Sequence, residues 1–214
     1  MNYSSENTLL YIEDLSVTYG DKTIIKDINL VEKDVVRQGE ITGQVIAVVG
    51  RSGTGKSTFF RALTGLVKPS TGKVLIANTT VVDSENNAKA VCEGDIGFVD
   101  QKYTLFSSGH YMVLDEPFCG LDIGNIQDVK NAFKLITKTH EFNTIIYSTH
   151  DIELAVELAD SIYVIGYPEI DGEKMTYGTI IKHFDMKEIG LAWKEFGLGH
   201  LDIVKQIKTV MLQS

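Results

Sequence analysis

One short run of the sequence has residue types suited to binding a phosphate chain. It fits G-x-x-x-x-G-K-[ST] and consists of Gly50, Arg51, Ser52, Gly53, Thr54, Gly55, Lys56, Ser57 and Thr58. Glycines let the backbone turn so that several N–H groups point at one anion. Lys56 places a positive charge against the outer phosphates, and the Ser57 hydroxyl can ligate Mg²⁺. Because an apolar β-branched run (44–49) precedes the loop and a helical pattern follows it, the sequence predicts a nucleoside triphosphate site rather than a chance surface turn.

Two adjacent carboxylates end a second apolar run. Residues 111–114 are apolar, and Asp115 and Glu116 follow them directly. A buried strand that stops at two acids delivers them to the carboxyl edge of a sheet, where α/β proteins bind ligands. Asp115 is then placed to hold Mg²⁺ through water, and Glu116 to polarise an attacking water as a general base. Alone, the pair would be read as surface acids, but beside a phosphate loop the catalytic interpretation is favoured.

Two further polar groups are predicted at the same edge. His150 follows the apolar strand around residues 143–148, so the strand aims its imidazole at the phosphates. Gln101 follows the strand at 95–99, and its amide can ligate the metal or a water without adding charge. A lone histidine is more often structural, and Gln101 alone would be read as an exposed loop residue.

The surrounding pattern predicts the elements that position these groups. Strands are expected at 9–19 and 23–30, with 73–82 completing an antiparallel β subdomain. Further strands at 95–99, 111–115, 143–148 and 161–165, together with a helix at 123–139, predict a parallel sheet wound by crossovers. In that helix apolar residues recur at three- and four-residue spacing: Ile126, Val129, Phe133 and Ile136. The tail, 186–213, is predicted to be helical and to pack through Ile203, Ile207 and Val210.

Composition narrows the class of protein. The 214 residues have a net charge of −9 and a pI near 5.0, which argues against a nucleic-acid binder. No apolar stretch approaches the roughly 20 residues that span a bilayer, and the first residues lack the features of a signal peptide. Cys92 and Cys119 lack metal-binding spacing and suggest reduced thiols. A single cytoplasmic domain over 1–214 is expected, or one peripheral on the inner face of the membrane.

Taken in order, these motifs resemble those of the ATP-binding cassette (ABC) ATPases, over residues 9 to 185. The resemblance implies an α/β P-loop NTPase (RecA-like) core that binds ATP and Mg²⁺. It identifies Gly50 to Thr58 as the Walker A loop and residues 114–117 as the Walker B strand with its catalytic glutamate. It implies that Tyr19 stacks on adenine, that Gln101 is the Q-loop glutamine and that His150 is the switch histidine. Gly120-Leu121-Asp122 is similar to the D-loop. Two such domains would sandwich two ATP molecules.

The sequence departs from the family in one place. The L-S-G-G-Q signature is absent, and so is the helical subdomain expected between the Q-loop and Walker B, since Gln101 and Asp115 are 14 positions apart. The seam is predicted near Phe106–Ser107, arising from a deletion or from a gap in the sequence. Since a parallel crossover normally takes a dozen or more residues, the short connection is itself unusual. A chain without the signature should bind Mg-ATP and turn it over poorly.

Three functions remain open at this point. The leading interpretation is the ATPase subunit of a transporter, with the membrane domain on a separate chain and a second cassette as partner. A cytosolic ABC protein acting on DNA or ribosomes is the second, against which the acidic pI stands. The third is a nucleotide-binding module with little turnover. A GTPase and a small-molecule kinase are remote alternatives. The sequence lacks the N-K-x-D run with which a GTPase recognises its base, and it lacks an obvious acceptor-binding lid of a kinase.

Overall fold

The computed structural model of the protein describes residues 3–76, 79–83, 96–99, 111–140 and 143–214. Its first strands are β1 (Tyr3–Tyr19), β2 (Lys22–Arg37), β3 (Gln44–Val49), β4 (Thr71–Ile76), β5 (Thr79–Asp83) and β6 (Ile96–Val99). The later strands are β7 (Tyr111–Leu114), β8 (Thr144–Thr149), β9 (Ser161–Gly166), β10 (Glu169–Ile170), β11 (Glu173–Lys174) and β12 (Thr179–Asp185). The helices are α1 (Lys56–Leu63), α2 (Ile123–Thr139), α3 (Ile152–Leu158) and α4 (Leu198–Gln213).

A six-stranded sheet in the order β12-β9-β3-β8-β7-β6 forms the centre of the described structure. Its strands pair in parallel from β9 to β6, and β12 adds an antiparallel edge. Every residue of β3, β8 and β9 is buried, as expected where both faces of a parallel sheet are covered. The predicted parallel sheet is therefore confirmed, including the parallel pairing of β6 with β7.

A second sheet of four antiparallel strands, in the order β2-β1-β4-β5, packs on one face of the first. The turn at Gly20-Asp21 joins β1 to β2, and alternate side chains of both strands point into the space between the sheets. That space contains α1 and one hydrophobic cluster, which includes Ile12, Ile28 and Phe60. This arrangement confirms the predicted antiparallel β subdomain.

The other face of the parallel sheet is covered by α2, α3 and α4. Phe133 of α2 is buried there, and Ile126, Val129 and Ile136 pack around it, so the predicted stripe is confirmed. Phe133 also meets Tyr147 of β8 edge-to-face, with ring centroids 5.4 Å apart. These contacts fix the helices to the back of the strands that carry the candidate site.

The helical prediction for the tail is correct only in part. The chain makes turns from Asp185 onward, and α4 begins at Leu198 rather than near 186. Gly190 and Trp193 adopt left-handed backbone angles (φ 77° and 60°), which an α-helix cannot contain. Within α4, Ile203 and Ile207 are buried and Val210 packs beside them, as predicted.

Several other sequence predictions concern residues 100–110, which lie outside the described residues. They are the Q-loop residue Gln101 and the junction between Phe106 and Ser107, and both stay predictions. Cys92 also lies outside the described residues, whereas Cys119 is an exposed free thiol. Among the described parts of the chain, no helix combines the length and apolar character needed to cross a membrane.

Candidate active site

The phosphate-loop motif lies between a buried strand and a helix. β3 ends at Val49, the loop follows, and α1 begins at Lys56 with Gly55 as its N-cap (φ 98°). Glycine is needed at two loop positions because other segments of the same chain come close to the loop backbone. A Cβ atom on Gly50 would lie 2.4 Å from the carbonyl oxygen of Ile165, and one on Gly55 would lie 2.5 Å from the Ile25 side chain. The strand–loop–helix context that the motif requires is therefore present.

Lys56 folds back over the loop. Its ammonium donates to the Gly50 carbonyl at 2.9 Å and to the Arg51 carbonyl at 3.4 Å. The same nitrogen lies 3.6 Å from Oε1 of Glu116, and the Lys56 side chain is only 8% exposed. The lysine thus joins the loop to the end of β7.

The remaining loop residues differ in exposure. Thr54 is buried, and its hydroxyl donates to the Arg51 carbonyl at 2.9 Å, closing the loop on itself. The side chain of Thr58 is half-buried on α1. Four residues face solvent: Arg51, Ser52, Gly53 and Ser57.

The two acids after β7 are held by the neighbouring strand. Asp115 is buried, and its Oδ1 accepts a hydrogen bond from the Ser148 hydroxyl at 2.5 Å. The backbone N–H of Glu116 donates to that same hydroxyl oxygen at 2.9 Å. Glu116 has a left-handed backbone (φ 51°), an uncommon conformation for a residue other than glycine.

The Glu116 carboxylate bridges two cationic or basic groups. Oε1 faces Lys56, and Oε2 lies 2.9 Å from Nδ1 of His150, whose side chain is 66% exposed. The three residues come from β7, α1 and the end of β8, which the order β3-β8-β7 brings to one edge of the sheet. The structure therefore brings together Lys56, Asp115, Glu116 and His150, four of the residues singled out in the sequence.

Tyr19 lies at the end of β1, opposite Lys22 of β2, and its side chain is half exposed. Three residues farther along β2, Ile25 packs against Gly55, so this hairpin borders the phosphate loop. Tyr19 thus belongs to a hairpin that borders the loop, and its side chain is accessible to a ligand.

Asp122 of the D-loop-like run has a defined structural role. Its Oδ1 accepts from the backbone N–H of Asn125 at 2.9 Å, and its Oδ2 accepts from the Asn125 amide at 3.1 Å. Asp122 is therefore the N-cap of α2. Asp151 caps α3 in the same way, through the Leu154 N–H.

Three residues that sequence reasoning did not assign to the site also contact it. Ser148 bonds to both acids, as described above. The Tyr167 hydroxyl donates to the Gly53 carbonyl at 2.9 Å, and a Cβ atom on Gly178 would lie 1.9 Å from the Thr54 carbonyl oxygen. A hydroxyl near the end of an apolar strand was a usable signal for Ser148. No local pattern marks Tyr167 or Gly178, because both reach the loop from far along the chain.

Comparison with known proteins agrees with this geometry. The family model described as ABC transporter matches residues 40–160. A putative ABC transporter ATP-binding protein of Pyrococcus horikoshii is 28% identical over 249 positions, covering 88% of each chain. A putative ABC transporter ATP-binding protein of Pyrococcus abyssi is 26% identical over 266 positions, covering 96% of this chain and 95% of its own.

Both alignments contain more positions than the number of residues that this chain contributes to them. For the P. horikoshii protein, 88% of this chain is about 188 residues in 249 positions, so about 60 positions have no residue of this chain. For the P. abyssi protein, 96% is about 205 residues in 266 positions, and the excess is again about 60. Both relatives therefore contain about 60 positions in total that this chain lacks within the aligned region.

Solved structures share the fold. CbiO1 from Clostridium perfringens, part of the ABC transporter complex cbiONQ, superposes with a TM-score of 0.64, 20% identity and 97% coverage of both chains. A nucleotide-free ATP-binding cassette from an ABC transporter gives a TM-score of 0.65 with 15% identity, covering 95% of this chain and 97% of its own. The predicted P-loop NTPase fold is confirmed, and because the family model matches more than half of the chain, this protein belongs to the ABC transporter family, as an ATP-binding cassette of the kind that hydrolyses ATP.

Proposed function

We propose that this chain binds Mg-ATP and, in its complete form, hydrolyses it to power a membrane transporter as the ATPase subunit. The position of Glu116 carries the proposal. Its carboxylate lies 3.6 Å from the Lys56 ammonium and 2.9 Å from the His150 imidazole, at the strand end beside the phosphate loop. A carboxylate held there is suited to take a proton from a water that attacks the terminal phosphate.

The loop would bind the triphosphate. Its backbone N–H groups and the N-terminus of α1 supply fixed positive dipoles for the phosphates. Lys56, which bonds to the Gly50 carbonyl, would exchange that contact for the outer phosphates. Tyr19, half exposed at the end of β1, would stack on the adenine, and His150 would contact the terminal phosphate from the opposite side of Glu116.

The oxygen ligands at the site fit Mg²⁺. This cation prefers hydroxyl, carboxylate and water oxygens in octahedral geometry. The Ser57 hydroxyl at the start of α1 and the carboxylate of Asp115 would hold it, with Gln101 as a further ligand. When bound, Mg²⁺ neutralises charge on the outer phosphates. Asp115 has one oxygen occupied by Ser148, which leaves the other for this role.

The partners in this proposal are a second cassette and a separate transmembrane chain. A Clostridium perfringens protein that is 24% identical over 248 positions, covering 86% of this chain and 82% of its own, is named as an energy-coupling factor transporter ATP-binding protein. CbiO1 is described as part of an ABC transporter complex. We extend this arrangement to the present chain, which would then act at the cytoplasmic face of a membrane.

A second candidate is a module that binds ATP with little turnover. It is favoured by the missing signature motif, by the 14-position spacing between Gln101 and Asp115, and by the alignment positions that this chain lacks. We propose that those positions correspond to the helical subdomain. In the family, the signature of one cassette completes the ATP site of its partner. Without those donors the transition state would lose stabilisation, and turnover would fall.

Single-turnover hydrolysis separates the two candidates. The purified chain, a Glu116→Gln variant and a Glu153→Gln control are each mixed with limiting Mg-ATP, and phosphate release and ATP affinity are measured. Glu153 is an exposed glutamate on α3, outside the site. For an ATPase, Glu116→Gln lowers the rate by roughly 10²-fold or more with little change in affinity, and Glu153→Gln changes neither.

Equal rates for the unmodified chain and Glu116→Gln, with ATP still bound, identify the second candidate. A chain that binds no ATP at all rejects both. Copurification of the tagged chain with an integral membrane protein tests the transporter assignment, and tight association with ribosomes or DNA contradicts it.

A further inference from the structure

A buried hydroxyl connects the two acids of the site. Ser148, which is 0% exposed, follows three apolar or aromatic residues on β8. Its Oγ–H donates to Oδ1 of Asp115, and its Oγ accepts the N–H of Glu116. One hydroxyl therefore uses its donor on one acid and a lone pair on the backbone of the next.

The register of the sheet explains why this position can reach both acids. β7 and β8 are parallel neighbours, with Leu114 opposite Tyr147. The next residues along the two strands are Asp115 and Ser148, so their side chains lie next to each other as the strand ends. On its other side β8 pairs with β3, where Ser148 lies opposite Val48, so Ser148 is held in the sheet just past the point where the pairing of β8 with β7 ends.

We propose that Ser148 is a positioning residue that sets the orientation of Asp115 and Glu116 relative to the phosphate loop. The inference rests on the proposed ATPase function. The bond to Oδ1 fixes the rotation of the Asp115 carboxylate, so that its other oxygen is the one presented to the metal and its waters. The bond to the N–H helps hold Glu116 in its left-handed conformation, which directs its side chain toward Lys56 and His150.

Loss of this hydroxyl should act on both acids at once. In a Ser148→Ala variant the Glu116 N–H loses its acceptor and the Asp115 carboxylate loses its donor. The Glu116 backbone is then free to leave a conformation that residues other than glycine rarely adopt. A purely structural role would lower stability and leave the site geometry in the remaining folded molecules unchanged.

The matched control is Ser161→Ala. Ser161 is also buried in the parallel sheet, 1% exposed, and its hydroxyl oxygen accepts from the Lys187 ammonium at 2.8 Å. It lies at the first residue of β9, at the amino edge of the sheet, away from the candidate site. Both substitutions remove a buried hydroxyl that bonds to a charged group, but only one of them touches the acids.

The experiment compares the unmodified chain with Ser148→Ala, Ser148→Cys and Ser161→Ala. Three quantities are measured: exchange of the Glu116 amide hydrogen by NMR, ATP affinity with and without Mg²⁺, and the single-turnover rate. Ser148→Ala should speed exchange of the Glu116 amide about tenfold relative to the Val113 amide. It should reduce the gain in ATP affinity from added Mg²⁺ at least threefold, and lower the rate about tenfold. Ser148→Cys keeps a side chain of similar size with a weak donor and acceptor, so its values should lie between those of the unmodified chain and Ser148→Ala.

Ser161→Ala should leave all three quantities within twofold of the unmodified chain. The inference is overturned if Ser148→Ala behaves like Ser161→Ala in Glu116 exchange and in the effect of Mg²⁺. If the unmodified chain hydrolyses no ATP, the proposed function fails, while the exchange and Mg²⁺ measurements still decide the role of Ser148. Ser148→Cys provides these readouts if Ser148→Ala does not fold.

Discussion

The Lys56 ammonium and the Glu116 carboxylate form an ion pair, with 3.6 Å between Nζ and Oε1, and both side chains are largely buried. The pair joins the residue that would bind phosphate to the residue that would activate water. A ligand phosphate at the loop would compete with Glu116 for the same ammonium group, so binding and the orientation of the base are linked through this contact.

Replacement of the lysine should abolish most of the ATP affinity. Lys56→Ala removes a charged donor aimed at the phosphates, worth about 1.5–3 kcal/mol, which corresponds to roughly 10- to 100-fold in Kd. Isothermal titration calorimetry provides the measurement, with Lys68→Ala as the control because Lys68 is exposed on a loop beyond α1. An affinity for Lys56→Ala within twofold of the unmodified chain contradicts the placement of ATP at this loop.

Tyr167 should contribute to ATP binding without touching the ligand. Its hydroxyl holds the Gly53 carbonyl at 2.9 Å, and Tyr167→Phe deletes that single hydrogen bond. A bond of this kind contributes about 0.5–1.5 kcal/mol, so Kd for ATP should rise roughly 2- to 10-fold. Tyr177→Phe is the control, since Tyr177 lies on the same connection with Lys26 over its ring. Equal affinities for the two variants would mean that the Tyr167 bond does not order the loop.

Gly178 should tolerate no side chain. A Cβ atom would lie 1.9 Å from the Thr54 carbonyl oxygen, and both backbone groups of Gly178 are bonded to β2, through Ile24 and Lys26. Gly178→Ala must therefore displace the phosphate loop or β2, and we expect a loss of stability of about 2 kcal/mol or more together with weakened ATP binding.

Gly124→Ala is the matched control substitution. A Cβ atom on Gly124 would lie 3.4 Å from Oδ1 of Asp122, which is an ordinary contact. Alanine also has a higher helix propensity than glycine, so this change suits α2. Thermal unfolding and ATP titration are measured for both variants. If Gly178→Ala melts and binds like Gly124→Ala, the close packing of Gly178 against the loop is refuted.

Asp160 should make stability depend on pH. Burial raises the pKa of its carboxyl from 3.8 to about 7, although the N–H of Val45 and the charge of Lys187 act in the opposite direction. Between about pH 4 and 7 the unfolded chain has lost this proton while the folded chain retains it. The free energy of unfolding therefore falls as pH rises through this range, by up to about 4 kcal/mol at 1.36 kcal/mol per unit.

Asp160→Asn removes the titration but retains an acceptor for the Val45 N–H. The stability of this variant relative to the unmodified chain should therefore increase from pH 4 to pH 7.5 in chemical denaturation. Asp128→Asn, an exposed position on α2, should show no such trend. A difference between Asp160→Asn and the unmodified chain that stays constant with pH contradicts the raised pKa.

The elements with strong local patterns were predictable from the sequence. The phosphate loop, β3 and α2 have turn residues or apolar periodicity within a single segment, and α2 matches its predicted bounds of 123–139. The partial error in the tail has a local cause, since Trp193 takes a left-handed conformation that its residue type does not favour. β12 and α3 were not predicted; α3 has only seven residues, and β12 is partly exposed.

Outside the phosphate-loop motif, the site was predictable only where residues follow strand ends. Asp115, Glu116 and His150 satisfy that rule, and the structure brings them to one edge of the sheet. Ser148 and Tyr167 act through contacts with residues 33 and 114 positions away, which depend on sheet register and on the path of a long connection. For Ser148 the one usable signal was a hydroxyl near the end of an apolar strand, and the Tyr167 contact leaves no periodic or compositional mark on the sequence.

β6 is the last strand of the six-stranded sheet and leads along the chain toward residues 100–110. Among the described strands β6 has a neighbour on one side only, so additional chain following it can extend outward without separating any pair of these strands. The strands β12, β9, β3 and β8 support Lys56 and His150. They keep their pairing when the connection between β6 and β7 is lengthened or shortened. The fold thus permits a whole module to be exchanged at one border, and evolution or protein engineering can vary it independently of the phosphate loop.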